Sequence, residues 1–164
     1  MTAQPSRTAV QVCQGRAAAD GRLAPGRFAD PTAMILLRPD EREAVQRVRD
    51  GTVPAAWRER VDYETVLATA EMMIPRTVVI DDAVRECSAS QLVILGAGLD
   101  GRAWRLPAPV VFEVDQPASQ RDKRERAEEL SGQPPVYVPV DFRSDSLPDA
   151  LAAAGHESGC RDGR

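Results

Sequence analysis

Two short apolar runs organise the chain: Gln91-Leu92-Val93-Ile94-Leu95 and Val110-Val111-Phe112-Glu113-Val114-Asp115. Each is too short for a buried helix and rich in β-branched residues, the pattern of strands apolar on both faces. The first is cut off by Gly96-Ala97-Gly98-Leu99-Asp100-Gly101, and the second closes on an acid. Between them, Arg102-Ala103-Trp104-Arg105-Leu106 opens a helix. Val136-Tyr137-Val138-Pro139-Val140 repeats the strand pattern and also closes on an acid, Asp141. Pro139 cannot donate to a ladder, which predicts an edge position for this third strand.

Helical spacing fills the remainder. Asp30-Pro31 pairs an N-cap residue with proline at the first helical position, and Pro39 stops that segment. A second helix is predicted over 40–50, with Ala44, Val45 and Val48 on one face and Gly51 just past its end. Val61, Val66, Leu67, Ala70 and Met73 predict a longer helix over 57–74, which Pro75 interrupts. Ile80, Val84 and Cys87, at i, i+4 and i+7, give the next helix one buried stripe. After the second strand, residues 117–130 read as a polar helix, with 121–126 its solvated face; Pro134-Pro135 rule out its continuation. A last short helix spans 147–154. Residues 1–27 carry no clear period and read as a mobile N-terminal arm.

Composition narrows the class. The 164 residues suit one core, and 43% hydrophobic with 28% charged residues is ordinary for a globular chain. A net charge of -4 argues against nucleic acid or an anionic membrane as partner. Cys13, Cys87 and Cys160 are odd in number and widely spaced, so neither a disulfide framework nor a metal site is expected, and a cytoplasmic location fits. No stretch approaches the roughly 18 apolar residues of a membrane span.

The glycine turn satisfies G-x-G-x-x-G, and Asp115 lies 17 residues beyond Gly98. Strand, glycine turn, helix, strand and acid make up a Rossmann-type nucleotide site, in which the acid reaches ribose hydroxyls. Strand alternation sends Glu113 and Asp115 to the same face, so either acid serves. A dinucleotide would set its pyrophosphate at the helix N-terminus. Asp100 sits there and would repel it, an effect that Arg102 beside it partly offsets, whereas a phosphate-free, sulfonium-bearing adenosine would tolerate the acid.

Residues 91–106 resemble motif I of the leucine carboxyl methyltransferase family, and more closely its bacterial S-adenosylmethionine-dependent O-methyltransferases. Further pieces match in order: Phe28-Ala29-Asp30-Pro31 with Leu36-Leu37, Pro75-Arg76-Thr77 with Ile80-Asp81-Asp82, Phe112-Glu113-Val114-Asp115-Gln116-Pro117 with Lys123, and Val138-Pro139-Val140-Asp141-Phe142-Arg143. The resemblance runs from about Phe28 to His156. It implies a Rossmann-like class I methyltransferase fold, with N-terminal helices and three parallel strands forming the first half of a doubly wound sheet. It implies S-adenosyl-L-methionine as cofactor, with Gly96, Ala97 and Gly98 passing under its methionine and ribose. On the same ground Asp115 binds the ribose, Asp141 and Phe142 meet the adenine, and Arg76 pairs with the donor carboxylate. Trp104 reads as packing of the motif I helix. His156, in an unstructured tail, carries no catalytic role, and no residue stands out as a catalytic base.

Members of that family are considerably longer, and residues 157–164 no longer resemble it. The expectation is a partial donor-binding domain over 28–156 in a truncated chain. In the family's sheet the first strand is central, so this chain leaves an apolar strand edge open to self-association. A small-molecule acceptor is implied. The competing readings are an NAD-linked oxidoreductase on the same glycine turn, and a non-catalytic fragment acting as a binding module.

Overall fold

A computed structural model describes residues 6–107 and 110–157. Four helices lead the chain: α1 (Arg7–Ala19), α2 (Pro31–Ile35), α3 (Pro39–Asp50) and α4 (Trp57–Glu86). Then come β1 (Gln91–Leu95), α5 (Arg102–Arg105), β2 (Val110–Asp115), α6 (Pro117–Arg126) with a 3-10 turn (Ala127–Glu129), β3 (Val136–Pro139) and α7 (Leu147–Ala153). The three strands are parallel in the order β1-β2-β3, with Val93 opposite Phe112 and Val114 opposite Val138. This is a Rossmann-like α/β fold. Pro139 ends β3 at the sheet edge, as its missing N–H requires.

The N-terminal stretch departs from expectation. Instead of a mobile arm, its described part forms α1, capped by the Ser6 side chain on the Ala9 N–H and packed against α4. Cys13 is fully buried, with Ala17, Ala18 and Ala19 beside it. Small side chains allow this close approach: a Cβ on Gly15 would stand 2.8 Å from Thr69 Cγ2. A face of Ala and Gly that also buries Arg16 carries little hydrophobic periodicity, so the helix was hidden from a pattern search.

Pro75 does not break α4, which runs on as one helix of 30 residues. Proline removes one N–H, normally a cost of about 3 kcal/mol inside a helix. Here Pro75 lies on the exposed side, and the buried stripe Val66, Ala70, Ile74, Thr77, Val78 and Asp81 continues through it. The expected stripe of Ile80, Val84 and Cys87 is not the buried one: Ile80 and Cys87 are exposed. Pro39 likewise opens α3 rather than merely ending α2, and Gly51 closes α3 in the left-handed conformation.

The 121–126 segment was expected to be solvated, yet it is partly buried. Arg126 donates to Glu41 (2.5 and 3.0 Å), to Asp122 (2.7 Å) and to the Leu36 carbonyl (3.0 Å), locking α6 onto α2 and α3. One apolar core fills the helical half around Phe28, Leu36, Leu37, Val45, Val66 and Ile74. A smaller one, with Phe112, Val114, Val138, Val140 and Leu151, lies on the sheet. His156 also packs there, its ring edge-on to Phe112 at 5.3 Å, rather than lying in a loose tail. Residues 158–164, including Cys160, lie outside the described residues.

Gly101 is required by space rather than by backbone angle. An added Cβ would stand 2.0 Å from Thr32 Oγ1 and 3.2 Å from Asp30 Oδ1, so the glycine turn seats directly on the cap of α2. Gly101→Ala is expected to lower stability by about 1–3 kcal/mol through overpacking. Gly21→Ala, in open space but at a φ of +70°, costs about 1 kcal/mol through backbone strain alone. Urea denaturation of both variants checks the order, and a Gly101→Ala chain as stable as the parent contradicts this packing.

Candidate functional site

β1 runs into the glycine turn, where Gly96 and Gly98 take φ of 64° and 47°, values that β-carbon-bearing residues rarely adopt. The turn is stitched to the end of β2: Ala97 N–H donates to the Val114 carbonyl (3.2 Å) and Gly98 N–H to Asp115 Oδ2 (2.6 Å). Beside it opens a cavity of about 590 Å³, walled by the turn, the free flank of β1, α1 and the C-terminal half of α4. Arg76, Gly96, Ala97, Gly98 and Asp115 all line it.

Asp141 and Phe142 do not line it. Asp141 is held on its own loop, accepting from the Arg143 N–H (3.1 Å) and guanidinium (3.0 and 3.1 Å). The Arg143 hydrogen bonds hold the Asp141 carboxyl below the usual range. Phe142 is 54% exposed. Of the two acids on β2, only Asp115 faces the cavity. Glu113 is buried against Lys123, whose Nζ donates to its Oε2 at 2.5 Å.

A set of buried charges lies under the turn. Arg16, Arg102, Arg105 and Lys123 face Asp30, Asp81, Asp100 and Glu113, four cations against four carboxylates. Arg16 donates to Asp30 Oδ2 (2.9 Å) and to the Leu99 carbonyl. Asp81 accepts from Arg102 Nε (2.8 Å) and from both terminal nitrogens of Arg105. Asp100 takes the Arg102 backbone N–H (2.7 Å) and its guanidinium. Burial alone would raise the Asp100 carboxyl, but Arg16, Arg102 and Lys123 outweigh it and hold it ionised below its ordinary value. Burial does dominate at Glu113, pushing that carboxyl up to about 7 against the pull of Lys123.

This arrangement corrects the electrostatic reason for excluding a pyrophosphate. Asp100 is matched by cations, so bare repulsion is not the obstacle. The obstacle is occupancy: the first free N–H of α5 already binds a carboxylate, and a helix of four residues has almost no dipole to offer. Arg16 and Arg102 are likewise committed to acids. Arg76 makes no ion pair among the described residues, leaving it available to an anion in the cavity.

Sequence reasoning named the glycine turn, Asp115 and Arg76, and missed the charges that hold them. The usable signal was an acid or arginine on an otherwise buried helical stripe, as at Arg16 and Asp81. Cys13 is not a nucleophile: its thiol donates to the Ala33 carbonyl (3.3 Å), and burial pushes it up to about 11. No cluster of metal-ligating side chains exists among the described residues.

Comparison with known proteins places this geometry in a family. Leucine carboxyl methyltransferase matches residues 9–161, starting inside α1 and so ahead of the Phe28 at which the resemblance was first legible. A protein of Mycolicibacterium gilvum is 36% identical over 160 residues, covering 92% of this chain and 52% of its own length. One from Mycobacterium avium is 34% identical over 161 residues, covering 92% and 52%. One from Mycobacterium marinum is 36% identical over 157 residues, covering 90% and 51%. All three are provisionally named S-adenosyl-L-methionine-dependent methyltransferases. The chain therefore spans about half the length of the curated relatives it matches. With motif I, the acid-ended strands and the N-terminal helices all inside the match, the chain belongs to the leucine carboxyl methyltransferase family.

Proposed function

We propose that this chain is the donor-binding half of an S-adenosyl-L-methionine-dependent O-methyltransferase acting on a small molecule. The observation that carries the reading is the pairing, in one cavity, of Asp115 against Gly98 N–H with an uncommitted Arg76, while the phosphate position at α5 is filled by Asp100. The residues fit the donor. Each Asp115 oxygen accepts one backbone N–H, from Gly98 or Gln116 (2.6 Å each), and keeps a lone pair for a ribose hydroxyl. The glycine turn brings bare backbone to the cavity wall. Arg76 offers a planar fork to a carboxylate. Asp141 would accept from the adenine amino group in place of Arg143, and the exposed Phe142 ring would pack on the base.

When bound, the donor supplies a methyl group on a sulfonium, open to in-line attack by an oxygen. The chain's contribution is to bind and orient: Asp115 and Arg76 fix the two polar ends, and the turn sets the depth between them. A carboxylate acceptor needs no base, whereas a hydroxyl would need one. The acceptor is read as one of these two oxygens on a small molecule.

Location and assembly follow from the same surface. No helix among the described residues is long and apolar enough to cross a membrane. The odd number and wide spacing of the cysteines suit a reducing cytoplasm. β1 pairs with β2 alone among the described residues, and Leu95 at its end is 56% exposed. We read this open edge as a site of self-association. Light scattering at rising concentration should show association that Leu95→Lys suppresses, since a charge on an edge strand opposes pairing. A parent chain that stays monomeric and melts sharply contradicts this.

The donor reading is tested by calorimetry with S-adenosylhomocysteine and with NAD. S-adenosylhomocysteine should bind and NAD should not. Asp115→Ala and Arg76→Ala should each weaken S-adenosylhomocysteine by about tenfold or more, the loss of a charge-assisted contact. Binding of NAD alone overturns the assignment.

A further inference from the structure

Lys123 sits on α6 and does not line the cavity, yet it is 1% exposed. Its ammonium donates to Glu113 Oε2 (2.5 Å) and to the Asp100 carbonyl (2.7 Å), and the Trp104 ring face lies 5.5 Å away. Asp100 is two residues beyond Gly98, and Glu113 two residues before Asp115. The Lys123 bridge is thus a third link between the same turn and the same strand end, beside Ala97 N–H on the Val114 carbonyl and Gly98 N–H on Asp115. Gln120, one helical turn earlier, donates to the carbonyls of Glu113 (2.5 Å) and Val138 (3.1 Å), fixing α6 against β2 and β3.

A lysine buried only to anchor a helix would need one acceptor. This one donates to two different segments, the glycine turn at the Asp100 carbonyl and β2 at the Glu113 carboxylate. Without Nζ, the Asp100 carbonyl would keep no other hydrogen bond to the sheet among the described residues. We propose that Lys123 is a positioning residue for the donor site: it holds the glycine turn at the height where Gly98 N–H and Asp115 meet. The inference rests on the donor-site reading for its consequence in binding, but its structural half stands on this geometry alone.

A simple anchoring role predicts something different, so the two separate by experiment. Lys123→Met strands the Glu113 carboxyl in an apolar site and is expected to unfold part of the chain. The decisive variant is therefore Lys123→Met with Glu113→Gln, which removes both charges together and restores much of the stability. In that double variant, amide exchange across α6 should stay slow, while the Gly98 amide should exchange about tenfold faster than in the parent. S-adenosylhomocysteine affinity should fall by about tenfold while the melting temperature stays near the parent value. A double variant with parental Gly98 exchange and parental affinity overturns the proposal. If the parent chain itself fails to bind S-adenosylhomocysteine, the donor reading falls, and the Gly98 exchange rate alone decides the positioning role.

Discussion

The glycine turn and the cavity beside it depend on one carboxylate that answers its own backbone. Asp100 accepts the Arg102 N–H and so caps α5 from within the turn. That bond fills the position where a dinucleotide would place its phosphates, and it draws in the Arg102 guanidinium, which then reaches Asp81 on α4. From there the charges propagate through Arg105 to Asp30 and through Asp30 to Arg16 on α1. Buried ion pairs of this kind add little net stability, because desolvation cancels most of the attraction. Their effect here is geometric: removing any partner leaves an uncompensated charge, so the alternatives to this one arrangement are costly.

The network also explains why the helical preface belongs to the site. α1, the cap of α2 and α4 each send one charged side chain under the glycine turn, while their apolar faces form a core separate from that of the sheet. The turn is pressed between them, with Gly101 on Thr32 and Gly98 close to Ala9. A family match that begins inside α1 agrees with this arrangement.

Much of the architecture was legible in sequence because short β-branched runs and glycine turns are local signals. β1 and β2 fall on the expected residues, as do the Asp30 cap and Gly51. What stayed hidden is what depends on tertiary partners. α1 buries alanines, a glycine and Arg16, which no hydrophobic pattern marks. Pro75 reads as a break until the opposite face of α4 is seen to carry the packing. The run 121–126 reads as solvated because its burial is purchased by salt bridges to α3, invisible to periodicity. The turn, Asp115 and Arg76 followed from motif and resemblance and share one cavity, whereas Asp141 and Phe142 do not line it; the Arg143 contact that occupies Asp141 lies within its own loop.

A crystal structure of this chain with S-adenosylhomocysteine tests the central claim most directly. The account predicts the ribose hydroxyls on Asp115, the ligand carboxylate on Arg76, and Asp100 still bound to the Arg102 N–H. A ligand lying elsewhere, or an Asp100 side chain swung away to leave that N–H free for an anion, would contradict it.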